Sequence, residues 1–358
     1  MLQQLAQNLC GLYKTYGYQQ YSMSKFEDYD LYLQNKDFLI SDRILTFTDT
    51  DGRLMALKPD VTLSIIKNTQ TQQQMLQKIC YRENVYRPGK SDQGFREIMQ
   101  IGLECMGAVD TYSIYEVLLL AVNSLKQICK NCVLDVSHMG LMHRLLENMG
   151  LYGTVQKKVL DAISRKNSHE LQNICEEANV APDALVVLAR LCGKPADVLP
   201  ELNGIFGEVP ELVQFRQLLT ALENAGADCI NVDFSVVNDM NYYNGIVFRG
   251  FVEGVPTGIL SGGQYDGLME KMGRTGKAIG FALYPDLLER MQTCCQQEAD
   301  AVLYYEACAP IEDVAAAVSQ LKEQGMTVCA QPAGTGTLRC TQRYFLKGNE
   351  VRLLENDA

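Results

Sequence analysis

Two long runs of strand-forming residues, joined by a short loop, constrain the fold of this 358-residue chain more than any other feature. The runs are KICYRENVYRP (78–88) and FREIMQIGLECMG (95–107), and the loop is GKSDQG (89–94). A polar, glycine-containing loop between two such runs indicates an antiparallel pair. Side chains alternate between the faces of a strand, so Gln100 and Glu104 are predicted to share one face.

The rest of the chain indicates an α+β protein with a helical insertion. A second hairpin is predicted over 42–59, around an Asp-Thr-Asp-Gly turn, and a helix over about 111–130. Helical patterns interrupted by prolines predict an insertion at about 139–224. Strand patterns then return, and a helix from 284 or 285 to about 295 follows them. We therefore predict one main domain over 1–296 and a small α/β segment over 297–358.

Composition favours a globular protein of the cytoplasm. Hydrophobic residues make up 47% of the chain, which is enough for a large core, but no apolar run is long enough to span a bilayer. The N-terminus predicts an amphipathic helix rather than a signal peptide, and the 13 cysteines then favour free thiols in a reducing compartment. The net charge of −11 argues against nucleic acid as the default partner.

Several short motifs suggest chemistry but fail on inspection. Cys129 and Cys132 form a CxxC pair without the second pair or nearby histidines that zinc requires. GRTGKA (273–278) lacks both the first glycine and the hydroxyl residue of a phosphate-binding loop. The three histidines fit no metal or triad pattern and are expected to be structural. No metal and no cofactor are therefore expected.

Five separated segments, in order, resemble the catalytic domain of histidyl-tRNA synthetase. The first segment is similar to the synthetase's amino-acid-binding loop. The second is similar to class II motif 2 together with the histidine-specific segment that follows it. The third segment is similar to the family's second histidine-specific motif. The fourth and fifth are similar to the stretch that leads into motif 3. In order, the segments are ALKPDVT (56–62), 81–107, VVNDMNYYNGIVF (236–248), SGGQYDGL (261–268) and AIGFAL (278–283). The resemblance covers about residues 1–295 and implies an antiparallel sheet flanked by helices, dimeric in the family.

The resemblance also implies a pocket for free histidine. Such a ligand needs an acid for its ammonium group, a cation or donors for its carboxylate, and an acid with a hydroxyl for its ring. By motif position, Asp60, Thr62 and Gln100 would meet the ammonium, and Arg87 the carboxylate. Glu104 and Tyr243 would hold the ring nitrogens, with Tyr242 in the wall. Gly262 and Gly263 would let the backbone approach the ligand.

Structural alternatives exist for these residues. A buried acid without a partner is costly, so Glu104 either faces solvent or meets a ligand or cation. For Arg87 a surface salt bridge is the competing explanation, and the ligand contact is favoured over it. Tyr242 and Tyr243 are expected to point to opposite sides of their strand, which leaves a core role open for one of them, and Tyr243 is predicted to be the pocket residue.

Departures from the family pattern bear on catalysis. Asn238 stands where the synthetase has a catalytic arginine, and Leu287 where motif 3 has an ATP-binding arginine. Arg290 lies three residues further on and is a possible substitute. Losing two cations at the phosphates would cost several kcal/mol, judged from roughly 2.7–4 for one oxyanion donor. Adenylate formation is therefore expected to be crippled.

Three smaller departures concern the interface, the tail and the pocket. The motif 1 proline is missing near Ser24, so the dimer interface is expected to differ in detail. The segment after residue 297 is shorter than a full anticodon-binding domain. Asp60 replaces a glutamate of the synthetase, and the shorter side chain is expected to retune affinity for the ammonium group.

A histidine pocket without activation chemistry resembles the regulatory-subunit family of the short-form ATP phosphoribosyltransferase. That family implies a non-catalytic subunit of histidine biosynthesis, which joins a separate catalytic subunit and transmits histidine feedback. Its partners would be that subunit, a second copy of itself and histidine, with neither nucleic acid nor membrane. Two alternatives remain open: a working histidyl-tRNA synthetase with a trimmed tail, and another synthetase-like protein with a different substrate.

Overall fold

The computed structural model describes residues 2–36, 39, 43–69, 75–89, 94–237, 242–288, 299–334, 340–348 and 350–356. The contacts divide the chain into two compact units, Met1–Leu288 and Glu289–Ala358. The domain boundary predicted between 296 and 297 falls within 289–298, which lies outside the described residues. That boundary therefore stays a prediction.

The first unit mixes strands and helices along the chain. Its described strands are β1 (Gln19–Gln20), β2 (Phe26–Asp28), β3 (Thr46–Thr48), β4 (Leu54–Leu57), β5 (Leu76–Pro88), β6 (Phe95–Gly107), β7 (Cys132–His138), β8 (Cys192–Gly193), β9 (Ile230–Asp233), β10 (Ile246–Val252), β11 (Leu260–Gln264) and β12 (Lys277–Leu283). Its described helices of six residues or more are α1 (Leu2–Thr15), α2 (Tyr29–Gln34), α3 (Thr62–Asn68), α4 (Thr111–Ile128), α5 (Met139–Asn148), α6 (Gly153–Ser164), α7 (Ser168–Glu177), α8 (Asp183–Arg190), α9 (Pro195–Phe206), α10 (Pro210–Asn224) and α11 (Asp266–Lys271).

Nine of these strands form one large sheet in the order β1-β5-β6-β12-β11-β10-β7-β9-β8. Neighbours are antiparallel except in the β1–β5 and β7–β9 pairs, which are parallel. The long pair predicted from the sequence is β5–β6, in register from Leu76–Gly107 to Pro88–Phe95. The predicted α+β fold, an antiparallel sheet flanked by helices, is confirmed.

One face of the large sheet packs against α1 and α4. Ile101, Leu103 and Cys105 of β6 are completely buried there, as alternate residues of a strand with one apolar side. The Tyr13 ring of α1 meets the Phe281 ring edge-on at 5.9 Å, and its hydroxyl lies 2.9 Å from the Ser124 hydroxyl of α4. This face is the apolar core that holds the sheet to its helices.

The second predicted hairpin is also present, as β3 and β4 in a small sheet of order β2-β4-β3. The Asp49 carboxylate accepts hydrogen bonds from the Asp51 and Arg53 backbone N–H groups at 2.9 and 2.8 Å. Gly52 has φ +82°, a conformation that glycine adopts without strain. Turn chemistry therefore accounts for these aspartates, as expected.

Helices α5 to α10, with the short strand β8, occupy the segment predicted as a helical insertion. The helix predicted from 284 or 285 to 295 is described only as far as Leu288, with a helical turn over 286–288. Residues 289–298, the rest of that prediction, lie outside the described residues. None of the described helices is long and apolar enough to cross a membrane.

The second unit is a small α/β structure. Its described elements are β13 (Ala299–Tyr305), α12 (Ile311–Glu323), β14 (Val328–Pro332), β15 (Cys340–Lys347) and β16 (Glu350–Asn356). The strand order is β14-β13-β15-β16, and only the β15–β16 pair is antiparallel. Leu303, Leu321 and Leu346 are buried in its core, where α12 covers the sheet. The strand–helix–strand pattern predicted from the sequence is confirmed.

Candidate functional site

The face of the sheet opposite α1 and α4 carries the polar residues singled out from the sequence. Residues directly opposite each other in antiparallel strands point to the same face. Glu104 lies opposite Ile79 of β5 and Gly280 of β12, and Gln100 lies opposite Glu83. Both Gln100 and Glu104 are buried, at 3% and 2% exposed. The predicted shared face of these two residues is therefore confirmed.

Glu104 accepts two hydrogen bonds from hydroxyl groups. Thr62, at the start of α3, donates to one carboxylate oxygen at 2.8 Å, and Tyr265 donates to the other at 2.5 Å. Burial raises the pKa of Glu104 to about 8, against the lowering effect of these bonds; the nearby Asp60 also raises it. The protonated form of Glu104 is therefore favoured near neutral pH, and a cationic group beside it would favour the carboxylate.

Asp60 and Arg87 form the other end of the site. Arg87 donates from Nε to the Pro59 carbonyl at 2.8 Å, and its Nη2 lies 3.7 Å from Asp60 Oδ2. The second Asp60 oxygen accepts a hydrogen bond from the Leu63 N–H at 3.0 Å. Burial raises the Asp60 pKa, and Arg87 opposes this shift. The predicted ammonium and carboxylate contacts are therefore adjacent and paired with each other.

Tyr242 and Tyr243 lie in the loop before β10, not in a strand. Their rings meet edge-on at 4.5 Å, and Tyr242 also lies 5.9 Å from the Tyr265 ring. Both pack on the same hydrophobic cluster as Tyr81 and Tyr265. The expectation that the pair points to opposite faces of a strand is wrong, because β10 begins only at Ile246. Both tyrosines reach the site.

One glycine makes room beside Glu104 and another beside Tyr243. A Cβ at Gly280 would lie 1.8 Å from Glu104 Oε2, and one at Gly263 would lie 2.5 Å from the Tyr243 ring. Gly262 points to the other face, where a Cβ would meet the Phe281 and Phe248 side chains. Gly263 therefore borders Tyr243 and a Cβ at Gly262 would face the opposite side of the sheet, while the approach of either backbone to a ligand stays a prediction.

We call the seven predicted residues that share this region the candidate pocket: Asp60, Thr62, Arg87, Gln100, Glu104, Tyr242 and Tyr243. The contacts above link Asp60 to Arg87, Thr62 to Glu104, and Tyr242 to Tyr243. Tyr265, which lies in the SGGQYDGL segment and was not predicted as a site residue, donates directly to Glu104. Its place in the same motif as Gly263, directly after β11, is the sequence feature that could have pointed to it.

Lys58 and Glu83 also lie near the site, and neither was predicted from the sequence. Lys58 is completely buried, and its Nζ lies 2.5 Å from Glu83 Oε2. The other Glu83 oxygen accepts from the Met23 N–H at 3.2 Å. Because Glu83 lies opposite Gln100, this ion pair borders the candidate pocket and ties the segment that carries Asp60 to β5. Nothing in the sequence pattern indicates which acid would pair with Lys58.

The positions tied to lost catalysis are partly described. Asn238 and Arg290 lie outside the described residues. Leu287 is half-buried in the helical turn after β12, and the neighbouring Asp286 accepts a hydrogen bond from the Met99 N–H at 2.8 Å. Ser24 accepts a hydrogen bond from the Phe26 N–H at 3.1 Å in a local turn. Leu287 brings no cation to the sheet.

The motifs set aside show no sign of a metal site. Within the described residues, no group of three or more His, Cys, Asp or Glu side chains could hold a metal ion. His138 is half-buried beside Phe215, with ring centroids 5.7 Å apart, and desolvation lowers its pKa to about 4. A neutral histidine in an apolar setting is consistent with the structural role expected for it.

An antiparallel sheet flanked by helices, with a helical insertion and a buried polar pocket on the open face, defines a domain of the class II aminoacyl-tRNA synthetase type. Residues 1–288 match the family model for histidyl-tRNA synthetase, and the chain belongs to that family.

Individual relatives carry two kinds of name. A protein named ATP phosphoribosyltransferase regulatory subunit from Oceanobacillus iheyensis is 27% identical over 96% of this chain and 88% of its own. A histidine–tRNA ligase from Methanosphaerula palustris is 29% identical over 75% of this chain and 66% of its own.

Solved structures share the fold. One from Bacillus halodurans, described as an ATP phosphoribosyltransferase regulatory subunit/histidyl-tRNA synthetase, has a TM-score of 0.70, with 22% identity over 93% of this chain and 90% of that chain. A chain of the ATP phosphoribosyl transferase (HisG:HisZ) complex from Thermotoga maritima has a TM-score of 0.62, with 17% identity over 78% of this chain and 96% of that chain.

Proposed function

We propose that this chain is the non-catalytic regulatory subunit of a short-form ATP phosphoribosyltransferase. In this role it joins a separate catalytic subunit, is required for its activity and carries histidine feedback to the first step of histidine biosynthesis. The observation that carries the proposal is the similarity to the Oceanobacillus iheyensis regulatory subunit, which extends over 96% of this chain and 88% of that protein. The name of the Thermotoga maritima complex supports a hetero-oligomeric assembly.

The candidate pocket supports histidine as the effector. Glu104 offers a buried acid to an imidazole nitrogen, and Asp60 a second acid to the ammonium group. Arg87 lies within 3.7 Å of Asp60, where the carboxylate of the same amino acid can share it. Histidine would act by binding one quaternary state more tightly, and a coupling of roughly 1–3 kcal/mol is sufficient for feedback.

The proposal includes self-association, as implied by the family resemblance, and a location in the cytoplasm, where ATP is available as substrate. It excludes nucleic acid as a partner, because the chain has a formal charge of −11. It also excludes amino-acid activation by this chain. Support for this comes from Leu287, which supplies no cation where the synthetase motif has an arginine, and from Asn238 in the sequence.

Reconstitution tests the proposal. The full chain is mixed with the short-form catalytic subunit of the same organism, and phosphoribosyl-ATP formation is measured with and without histidine. We expect activity only in the mixture, and suppression by histidine. Glu104→Gln is expected to keep the activation but to raise the histidine concentration needed for inhibition about tenfold or more, because a charge-assisted hydrogen bond is lost.

Glu97→Gln is the matched control for that variant. Glu97 lies on the same strand and is exposed, and among the described residues it accepts hydrogen bonds from Asn84 and Tyr86, so its loss should leave inhibition unchanged. A catalytic subunit that behaves alike with and without this chain would overturn the regulatory role. Normal inhibition of the Glu104→Gln complex by histidine would show that the inhibitory histidine does not bind in this pocket.

The competing function is a working histidyl-tRNA synthetase, which the ligase from Methanosphaerula palustris favours. Histidine-dependent ATP–pyrophosphate exchange by the folded chain would establish it. We expect no exchange above background. Stabilisation of the fold by a different amino acid would instead favour a synthetase-like protein with another substrate.

A further inference from the structure

Tyr81 is a buried tyrosine in the middle of the candidate pocket. Its side chain is 1% exposed and belongs to the hydrophobic cluster that also holds Tyr265. The register places Tyr81 directly opposite Gly102 of β6, midway between Gln100 and Glu104 on the pocket face. Its location follows from strand pairing alone, because residues 100, 102 and 104 share one face.

The Tyr81 hydroxyl lies over Gly102. A Cβ built on Gly102 would lie 2.5 Å from Tyr81 Oη and 2.7 Å from the adjoining ring carbon. The phenol therefore crosses β6 in the space that any larger residue at position 102 would occupy. Because Gln100 and Glu104 flank Gly102 on this face, the hydroxyl lies between their side chains.

No described residue forms a hydrogen bond with the Tyr81 hydroxyl. Buried hydroxyls in folded proteins are almost always paired, and an unpaired one is costly. Tyr13 bonds to Ser124 and Tyr265 to Glu104, but the enclosed Tyr18 hydroxyl has no hydrogen-bond partner among the described residues. The Gln100 side chain, also buried, likewise has no hydrogen-bond partner among the described residues. Neither the Tyr81 hydroxyl nor the Gln100 amide is among the fully enclosed, unpaired atoms of the described residues, so both keep accessible polar atoms on the pocket face.

We propose that the Tyr81 hydroxyl is a ligand contact, which accepts a hydrogen bond from an N–H group of a bound amino acid. The nearby acids Asp60 and Glu104 favour a cationic or N–H-bearing group, and the Tyr81 hydroxyl offers that group a hydrogen bond of defined direction. Burial and the neighbouring Glu104 raise the Tyr81 pKa well above its usual range, so the group stays a neutral phenol. This inference rests on the proposed function only for the identity of the amino acid.

Tyr81→Phe tests the contact, because it removes one oxygen and keeps the ring. Tyr13→Phe is the control, since it removes a buried hydroxyl on the opposite, apolar face of the sheet. The wild-type chain and both variants are screened by thermal shift against the twenty standard amino acids. The stabilising amino acid is then titrated by calorimetry.

We expect histidine to stabilise the wild type and to bind Tyr81→Phe about 5- to 100-fold more weakly, the range for one lost hydrogen bond to a buried group. Tyr13→Phe should melt at a lower temperature and bind histidine as the wild type does. If another amino acid stabilises the wild type and its binding falls in Tyr81→Phe, the contact stands and histidine sensing fails. Equal affinities in Tyr81→Phe and Tyr13→Phe, or no stabilisation of the wild type by any amino acid, would overturn the contact.

Discussion

The two faces of β6 are equally hidden from water but differ in chemistry. Ile101, Leu103 and Cys105 point towards α1 and α4 and are 0% exposed. Gln100 and Glu104 point the other way and are 3% and 2% exposed. Burial therefore does not separate core from pocket in this protein. The distinguishing property is buried polarity, which is costly to the fold unless a ligand or a protein partner offsets it.

The polar face is held together by specific pairs, whereas the apolar face is held by packing. Lys58–Glu83, Thr62–Glu104 and Tyr265–Glu104 are all within 2.8 Å. If specific pairs stabilise the polar face, removing one member of a pair should lower the unfolding free energy, and removing both members should restore part of the loss. A face built from packing should lose stability in proportion to the volume removed.

The largest effect is expected from the Lys58–Glu83 pair. Lys58→Met leaves the Glu83 carboxylate without its cation, and breaking a buried pair in this way costs roughly 3–5 kcal/mol of unfolding free energy. The double variant Lys58→Met/Glu83→Gln should recover a large part of this loss, because neither charge is then stranded. Urea unfolding of the full chain measures both values.

Lys126→Met is the control for that comparison. Lys126 pairs with Asp228 on the surface, where an ion pair is worth at most about 1 kcal/mol. If Lys58→Met is no more damaging than Lys126→Met, the polar face does not depend on its charge pairs. The contrast between the two faces would then be one of composition only.

A somewhat smaller effect is expected on the apolar face. Leu103→Ala removes a completely buried side chain that lies opposite Phe281 of β12, at a cost of roughly 2–5 kcal/mol. Its affinity for histidine should stay within about threefold of the wild type, since the neighbouring Glu104 is untouched. Chemical unfolding and calorimetry, run on the same samples, report the two quantities.

Glu104→Gln should show the reverse pattern. It keeps the shape of the side chain, so unfolding free energy should change by less than about 1 kcal/mol near pH 7, while affinity for histidine falls. A large loss of affinity in Leu103→Ala, or a large loss of stability in Glu104→Gln, would show that the faces are not separable.

The sequence predicted the strand pairing of this site better than its contacts. Alternation along β6 placed Gln100 and Glu104 on one face, and the loop between 88 and 95 fixed β5 as the partner strand, because both signals are local. The helical insertion and the small α/β segment followed in the same way, from periodicity and prolines.

Contacts between distant segments could not be predicted from local sequence patterns. Tyr265 reaches Glu104 across 161 positions, and Lys58 reaches Glu83 because the Asp60 loop folds against β5. Tyr242 and Tyr243 were expected to alternate as strand residues, but they lie in a loop, where Tyr242 packs against Tyr265 and Tyr243 packs against Tyr242. Glycines were similarly ambiguous: a pair such as Gly262–Gly263 always sends one residue to each face.

The smallest effect, and the sharpest test of buried polarity, is the pH dependence of stability. In the folded chain Glu104 has a pKa of about 8, above its ordinary value of 4.5, so the folded state binds this proton more tightly than the unfolded state. The stability that this proton contributes is present at low pH and is lost as pH rises through 8. His138 acts in the opposite sense, but only below its ordinary pKa of 6.5.

Between pH 6.5 and 8 the unfolding free energy of the wild type should therefore fall, relative to Glu104→Gln, by up to about 2 kcal/mol. Groups common to both proteins cancel in this difference, and Glu97→Gln should keep the wild-type slope because Glu97 is exposed. Denaturant titrations at four pH values suffice. Parallel curves for the wild type and Glu104→Gln would mean that Glu104 ionises normally in the empty protein, with water or a cation in contact with it. The polar face would then be a solvated cleft, and the affinity of the pocket would depend on charge attraction rather than on the release of a buried proton.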